Sequence, residues 1–122
     1  MKSIPEALLE AQALTTQRDW QAPTDATVAE AERLLALVKI EWPEPDVQAQ
    51  ANGSITLDWD AGAHGWLTLT VAGQRTVEHA AVIDGDEYGL SEAFIKAVPD
   101  WAQELLRRLH QEPAHAPKPV LQ

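Results

Sequence analysis

Apolar residues recur along this chain with two different periods. Ile4, Ala7, Leu8, Ala11 and Leu14 fall three and four positions apart, which gathers them on one face of a helix. Ser3 and Glu6 stand at capping-box spacing, with Pro5 in the first turn. The pattern stops near Thr15 and Thr16, and Gln21-Ala22-Pro23 reads as a connector. Val28, Ala31, Leu34, Leu35 and Val38 form a second amphipathic stripe. Thr24 or Thr27 can cap that helix, and Thr27 with Glu30 repeats the capping-box spacing. Leu37 and Ile40 lie off the stripe. Trp42-Pro43-Glu44-Pro45 ends the helix, because each proline drives the residue before it into extended geometry.

From Asp46 the period becomes two, and residues 46–82 read as a four-stranded antiparallel meander. The first hairpin joins Asp46–Ala51 to Ser54–Asp60 through Asn52-Gly53. Asn-Gly ordinarily signals a two-residue type I′ turn. That register would set Val47 opposite Asp58 and mix polar with apolar residues on both faces. A three-residue turn with Gly53 in the left-handed region instead sets Ala49 opposite Ile55 and Val47 opposite Leu57, so this bulged turn is the expectation. The third strand is Trp66–Val71. Gly73-Gln74-Arg75 then turns the chain into Thr76–Ile83, whose weak alternation leaves its facing open.

Asp84 to Gly89 reads as an acidic loop, and Ser91 as the cap of a helix running from Glu92. Phe94, Val98, Trp101, Leu105 and Leu109 share one face of that helix. Pro99 interrupts it and predicts a kink or break. Arg107, Arg108 and His110 suit the last turn. Residues 111–122 are proline-rich and aperiodic, and read as a disordered tail.

The expected class is therefore α+β: two N-terminal helices, a four-stranded antiparallel meander and a C-terminal helix, in one domain spanning 1–110. One sheet face carries Val47, Ala49, Ile55, Leu57, Trp59, Leu67, Leu69 and Val71, and helices should cover it. The other carries Gln48, Gln50, Ser54, Thr56, Asp58, Trp66, Thr68 and Thr70, and can stay wet.

Composition narrows the chemistry. A chain of 122 residues, 45% hydrophobic, suits one core. With no cysteine there is no disulfide, no thiolate nucleophile and no cysteine-based zinc site. The first residues lack the apolar run of a secretion signal, and no stretch approaches the ~18 apolar residues of a membrane span. A soluble cytoplasmic protein is the expectation.

Charge changes the picture most. The net charge is −10, and all of it lies between Glu41 and Glu104, where 12 acidic residues face 2 basic ones. The rest of the chain balances at 7 of each sign. This balance argues against direct nucleic-acid binding, which requires lysine and arginine to replace phosphate counterions. Anionic membranes are disfavoured for the same reason. Charge gathered on one structural unit can instead select a basic partner.

Candidate reactive groups are few. Asp84, Asp86 and Glu87 offer carboxylates for a hard cation. The EF-hand pattern fails, however, because Tyr88 and Ile95 stand where it needs acidic or amide ligands. No metal and no cofactor are expected. His64 with Asp58 or Asp60 has the residue types of an acid–base pair, yet a loop histidine is ordinarily solvated. His79, His110 and His115 have no partner at metal-ligand spacing. Ser3, Ser54 and Ser91 read as caps or turn residues, and no nucleophile elbow is present.

Of five tryptophans, Trp59 and Trp101 fall on the expected core faces, and Trp20 and Trp42 border connectors. Alternation sets Trp66 on the polar face among threonines and Asp58. An aromatic side chain ringed by polar groups is typical of an interface anchor. Burial of Trp66 beneath a terminal helix is the competing expectation.

The sequence thus points to a non-catalytic acidic interaction protein. Asp46, Asp58, Asp60, Trp66, Asp84, Asp86 and Glu87 would form its partner-binding surface. The partner would be a basic protein surface, such as that of a nucleic-acid-binding protein held by an inhibitor or antitoxin. A meander puts the ends of its second and fourth strands at one edge, which gathers these acids. The alternative is a small enzyme or ligand-binding domain with a sheet–helix pocket using Asp58, His64 or Tyr88. A homodimer through the strip near Trp66 is a third reading, opposed by like charge.

Overall fold

The structure is a computed structural model that describes residues 3–110. The expected tail at 111–122 lies outside the described residues. Helix α1 (Ile4–Gln17) begins with the capping box its sequence spells. Ser3 Oγ accepts the Glu6 N–H at 3.3 Å, and Glu6 Oε1 accepts the Ser3 N–H at 3.2 Å. Helix α2 (Asp25–Val38) is capped by Thr24, whose Oγ1 accepts the Thr27 N–H at 3.1 Å.

The sheet is α+β in context and antiparallel throughout, but it has five strands rather than four. They are β1 (Asp46–Ala49), β2 (Ile55–Asp60), β3 (Gly65–Val71), β4 (Thr76–Ile83) and β5 (Asp86–Ala93), in the order β1-β2-β3-β4-β5. A 3-10 turn, Gly62–His64, joins β2 to β3. The bulged first turn forms as expected. Gly53 has φ of +87°, Gln50 N–H donates to Ser54 O at 2.9 Å, and Ala49 and Val47 oppose Ile55 and Leu57.

The fifth strand corrects the acidic-loop expectation. Asp84 and Gly85 both have positive φ, +52° and +85°, and Ile83 pairs directly with Asp86. This is a two-residue hairpin turn of the I′ kind, for which Asp-Gly is a favoured sequence. The strand that follows, Asp-Glu-Tyr-Gly-Leu-Ser-Glu-Ala, hides its nature because it is an edge. It packs little of its length, so selection for alternating apolar residues is weak.

The C-terminal helix is corrected too. Helix α3 (Asp100–Leu109) starts only after Pro99, which stands at the N-cap in extended geometry with φ −57° and ψ 150°. Ser91 caps nothing. Proline at that point breaks the apolar run, so Phe94 is buried from the segment after β5 rather than from a helix. Starting at Asp100, the helix buries Ala102, Leu105, Leu106 and Leu109. This leaves Trp101, expected in the core, 44% exposed.

All three helices lie on one face of the sheet. α1 packs on β1, α2 on β2 and β3, and α3 on β3 and β4. Beneath them are Val47, Ala49, Ile55, Leu57, Trp59, Leu67, Leu69 and Val71, as expected. The facing of β4 is now decided: Val77, His79, Ala81 and Ile83 point inward. Each fully buried leucine here contributes roughly 1.5–3 kcal/mol of transfer free energy. Glu30 is buried on α2, where its carboxylate accepts the N–H groups of Gly73 and Arg75 at 2.9 and 2.6 Å. It thereby ties the β3–β4 turn to the helix layer.

Candidate functional site

With every helix on one side, the opposite face of the sheet is uncovered by any described element. Cross-strand partners share a face, so the register reads out its rows. One row runs Asp46, Asp58, Thr68, Ala80, Gly89. The next runs Gln48, Thr56, Thr70, Glu78, Ser91, and the third Asp60, Trp66, Val82, Glu87. Asp46, Asp58, Asp60, Glu78 and Glu87 are acidic, and no lysine, arginine or histidine stands in any row.

The face is partly preorganised. Asp58 Oδ1 accepts the Thr68 hydroxyl, and its Oδ2 accepts the Thr56 hydroxyl at 3.3 Å. These donors hold the Asp58 side chain against the directly opposed Asp46. Asp60 Oδ1 accepts the Gly62 N–H at 2.8 Å, closing the turn after β2. Gln48 Nε2 donates to Asp46 Oδ2 at 3.3 Å. Trp66 sits beside Asp60 and Val82 and is 43% exposed. No described helix covers it, so the covered alternative does not hold. A cleft of about 680 Å³ opens at the β1–β2 corner, lined by Glu44, Asp46, Asp58, Asp60, Trp59 and His110 among others.

The expected acidic residues divide between two locations. Asp46, Asp58, Asp60 and Glu87 share the open face with Trp66. Asp60 and Glu87 lie in one row, three strand spacings or roughly 14 Å apart. Asp86 does not join them, because it pairs with Ile83 and so takes the parity of the helix-covered face at the sheet margin. Asp84 is drawn away by His64. The His64 Nδ1 lies 2.7 Å from Asp84 Oδ1, and its Nε2 lies 2.9 Å from the Arg108 carbonyl oxygen.

His64 therefore pairs with neither Asp58 nor Asp60. Both of its ring nitrogens face acceptors, an arrangement that only the imidazolium satisfies as a double donor. The Arg108 carbonyl first, and then the Asp84 carboxylate, raise its pKa above the ordinary 6.5 against the opposing effect of burial. The ring, its side chain only 8% exposed, pins the 3-10 turn to both the β4–β5 turn and the end of α3.

Charges on the helix side are spent internally. Hydrogen bonds from Arg107 and Arg108 hold the Glu104 carboxyl down to about 2. Glu92, from β5, accepts the N–H groups of Trp101 and Ala102, both at 3.0 Å. His79 Nε2 lies 3.2 Å from Glu92 Oε2 without hydrogen-bond geometry, and the buried Nδ1 has no partner. Among the described residues, no ion pair involves Asp58, Asp60, Glu78 or Glu87 of the open face.

Glu78 belongs to the open face and was missed, because the facing of β4 was undecided from its own residues. The register with Thr70 settles it. Among the described residues no group of acidic or histidine side chains is arranged to hold a metal ion, and no helix is long and apolar enough to cross a membrane. Comparison with family models, with curated proteins and with solved structures finds no match.

Proposed function

We propose that this protein is a non-catalytic interaction module whose open sheet face docks on a basic surface of a protein partner. The observation that carries the reading is a face on which Asp58, Asp60, Glu78 and Glu87 stand with no lysine, arginine or histidine in its described rows, and with one half-exposed tryptophan near its margin. Carboxylates on one strand stand roughly 7 Å apart, and opposed ones on neighbouring strands roughly 5 Å apart. A rigid array of that kind offers a phosphate-binding groove the charge it normally neutralises. The partner class is therefore a protein that otherwise holds nucleic acid, and the role is inhibition by occupancy. Trp66 would supply the desolvated anchor, while the acids raise the association rate and make it salt-sensitive.

Affinity capture with mass spectrometry at low and moderate salt tests this. The triple reversal Asp60→Lys, Glu78→Lys, Glu87→Lys should abolish capture of a basic partner, and salt should weaken it. Reversal of the exposed Glu32 on α2 should not. Capture insensitive to both salt and the triple reversal would sink the reading.

A further inference from the structure

The two edges of the sheet are guarded differently. β1 has four residues and follows directly on Pro45, and α1 packs on it. Just beyond its end, the Ala51 carbonyl accepts the Gln21 N–H at 2.9 Å, so the α1–α2 connector runs along this edge. Short length, proline and a covering segment are the devices by which proteins blunt an edge. β5 has eight residues and no proline, lysine or arginine.

The direction of its backbone groups follows from one bond. Phe94 N–H donates to the Arg75 carbonyl at 2.8 Å, which continues the β4–β5 register as a hydrogen-bonded pair. Every second pair is then of the same kind: Val77 with Glu92, His79 with Leu90, Ala81 with Tyr88. The N–H and C=O groups of Glu87, Gly89, Ser91 and Ala93 must point away from β4. All four residues are exposed, and no described residue bonds their backbone.

Side chains flank this edge with different chemistry on its two faces. On the open face stands Glu87, the near end of the acidic array. On the helix side Leu90 is 52% exposed, and Trp101 is 44% exposed beside Glu92, to which it is bonded. Arg108 lies 5.6 Å from the rings of both Tyr88 and Trp101 and closes the far end of that strip.

We propose that the β5 edge accepts an extended segment of a partner protein as a sixth strand, with basic and apolar residues alternating along it. Pairing directs one set of its side chains to the acidic face and the other to Leu90 and Trp101. A second copy of this chain fits poorly. Symmetric antiparallel pairing of the outward residues sets Glu87 opposite Ser91 or Ala93 of the other copy, offers it no basic residue, and joins two chains of net charge −10. The inference stands apart from the open-face reading, because backbone groups of β5 carry it and Trp66 does not.

The probe is a capped peptide of alternating lysine and valine, titrated against the full chain with hydrogen exchange followed at each amide. Binding should protect the amides of Glu87, Gly89, Ser91 and Ala93. N-methylating alternate residues of the peptide should weaken it at least roughly tenfold, the loss of one or two net hydrogen bonds. Ser91→Pro removes an outward N–H and no bond to β4, and should weaken binding similarly. Trp66→Ala should leave it unchanged. Equal binding of the N-methylated peptide, or protection elsewhere, overturns the proposal in favour of plain charge attraction. A dimer of the free protein that protects these same amides overturns it in favour of a second copy.

Discussion

Glu92, on the edge strand β5, accepts the backbone N–H of Trp101 at 3.0 Å and so caps a helix it does not belong to. Pro99 at the N-cap has no side-chain acceptor, and the first turn of α3 exposes orphan N–H groups. A carboxylate on the edge strand of the sheet supplies what the local sequence lacks. Its charge also complements the helix dipole.

Glu92→Ala should therefore destabilise the fold by about 1–3 kcal/mol, the cost of a lost cap plus two unsatisfied donors. Glu92→Gln keeps an acceptor and should cost less. Urea denaturation measures both. Equal stability of Glu92→Ala and the parent would show that the cap is not used.

His64 predicts a pH dependence. Its folded-state pKa is raised, so its contribution to stability is complete below the ordinary 6.5. That contribution is lost as pH rises from there through the raised folded-state value. Asp84→Asn keeps a residue that tolerates positive φ but removes the charge facing the ring. Thermal midpoints across this window should fall more steeply for the parent than for Asp84→Asn. Parallel profiles would assign the dependence to other groups.

Gly73 has φ of +75°, and a Cβ there would sit 2.9 Å from Thr27 Oγ1 and 3.1 Å from Thr27 N. Gly73→Ala should cost about 1–3 kcal/mol from the backbone conformation, with the clash against α2 added. It would also disturb the Glu30 clamp on the same turn. A neutral Gly73→Ala would mean that the turn relaxes away from the helix. Chemical denaturation decides it.

The two sheet tryptophans should separate in their effects. Trp59 is 5% exposed, and its Nε1 donates to the Pro43 carbonyl at 2.8 Å. Trp59→Ala should cost about 3–5 kcal/mol. Trp66→Ala should cost well under that while weakening partner capture. Comparable unfolding by both variants would make Trp66 a core residue in all but exposure.

Residues with strong local signals behaved as their sequence requires. Ser3 and Glu6 close their capping box, and Gly53 takes the left-handed bulge that keeps Val47 and Ala49 on the apolar side. Both outcomes are decided within a few residues, by capping donors in one case and by alternation in the other. The open face was legible for the same reason. Asp58 and Trp66 are fixed by parity once Leu57 and Leu67 point inward. β5 was not legible, because an edge strand has no need of an apolar face and Glu92 turns inward as a cap. Only the Asp-Gly dipeptide marked the turn before it.

The sequence by itself determined the α+β class, the two capped N-terminal helices, the apolar sheet face and the concentration of charge in the middle of the chain. These follow from periodicity and from local hydrogen bonding, which act over a few residues. Tertiary structure decided which of those charges stay together. Cross-strand pairing gathered Asp46, Asp58, Asp60, Glu78 and Glu87 on one face, while the helix-side contacts of His64 and α3 drew Asp84 and Glu92 away. Pairing partners many residues apart are set by the register of the whole sheet, and no local pattern records them.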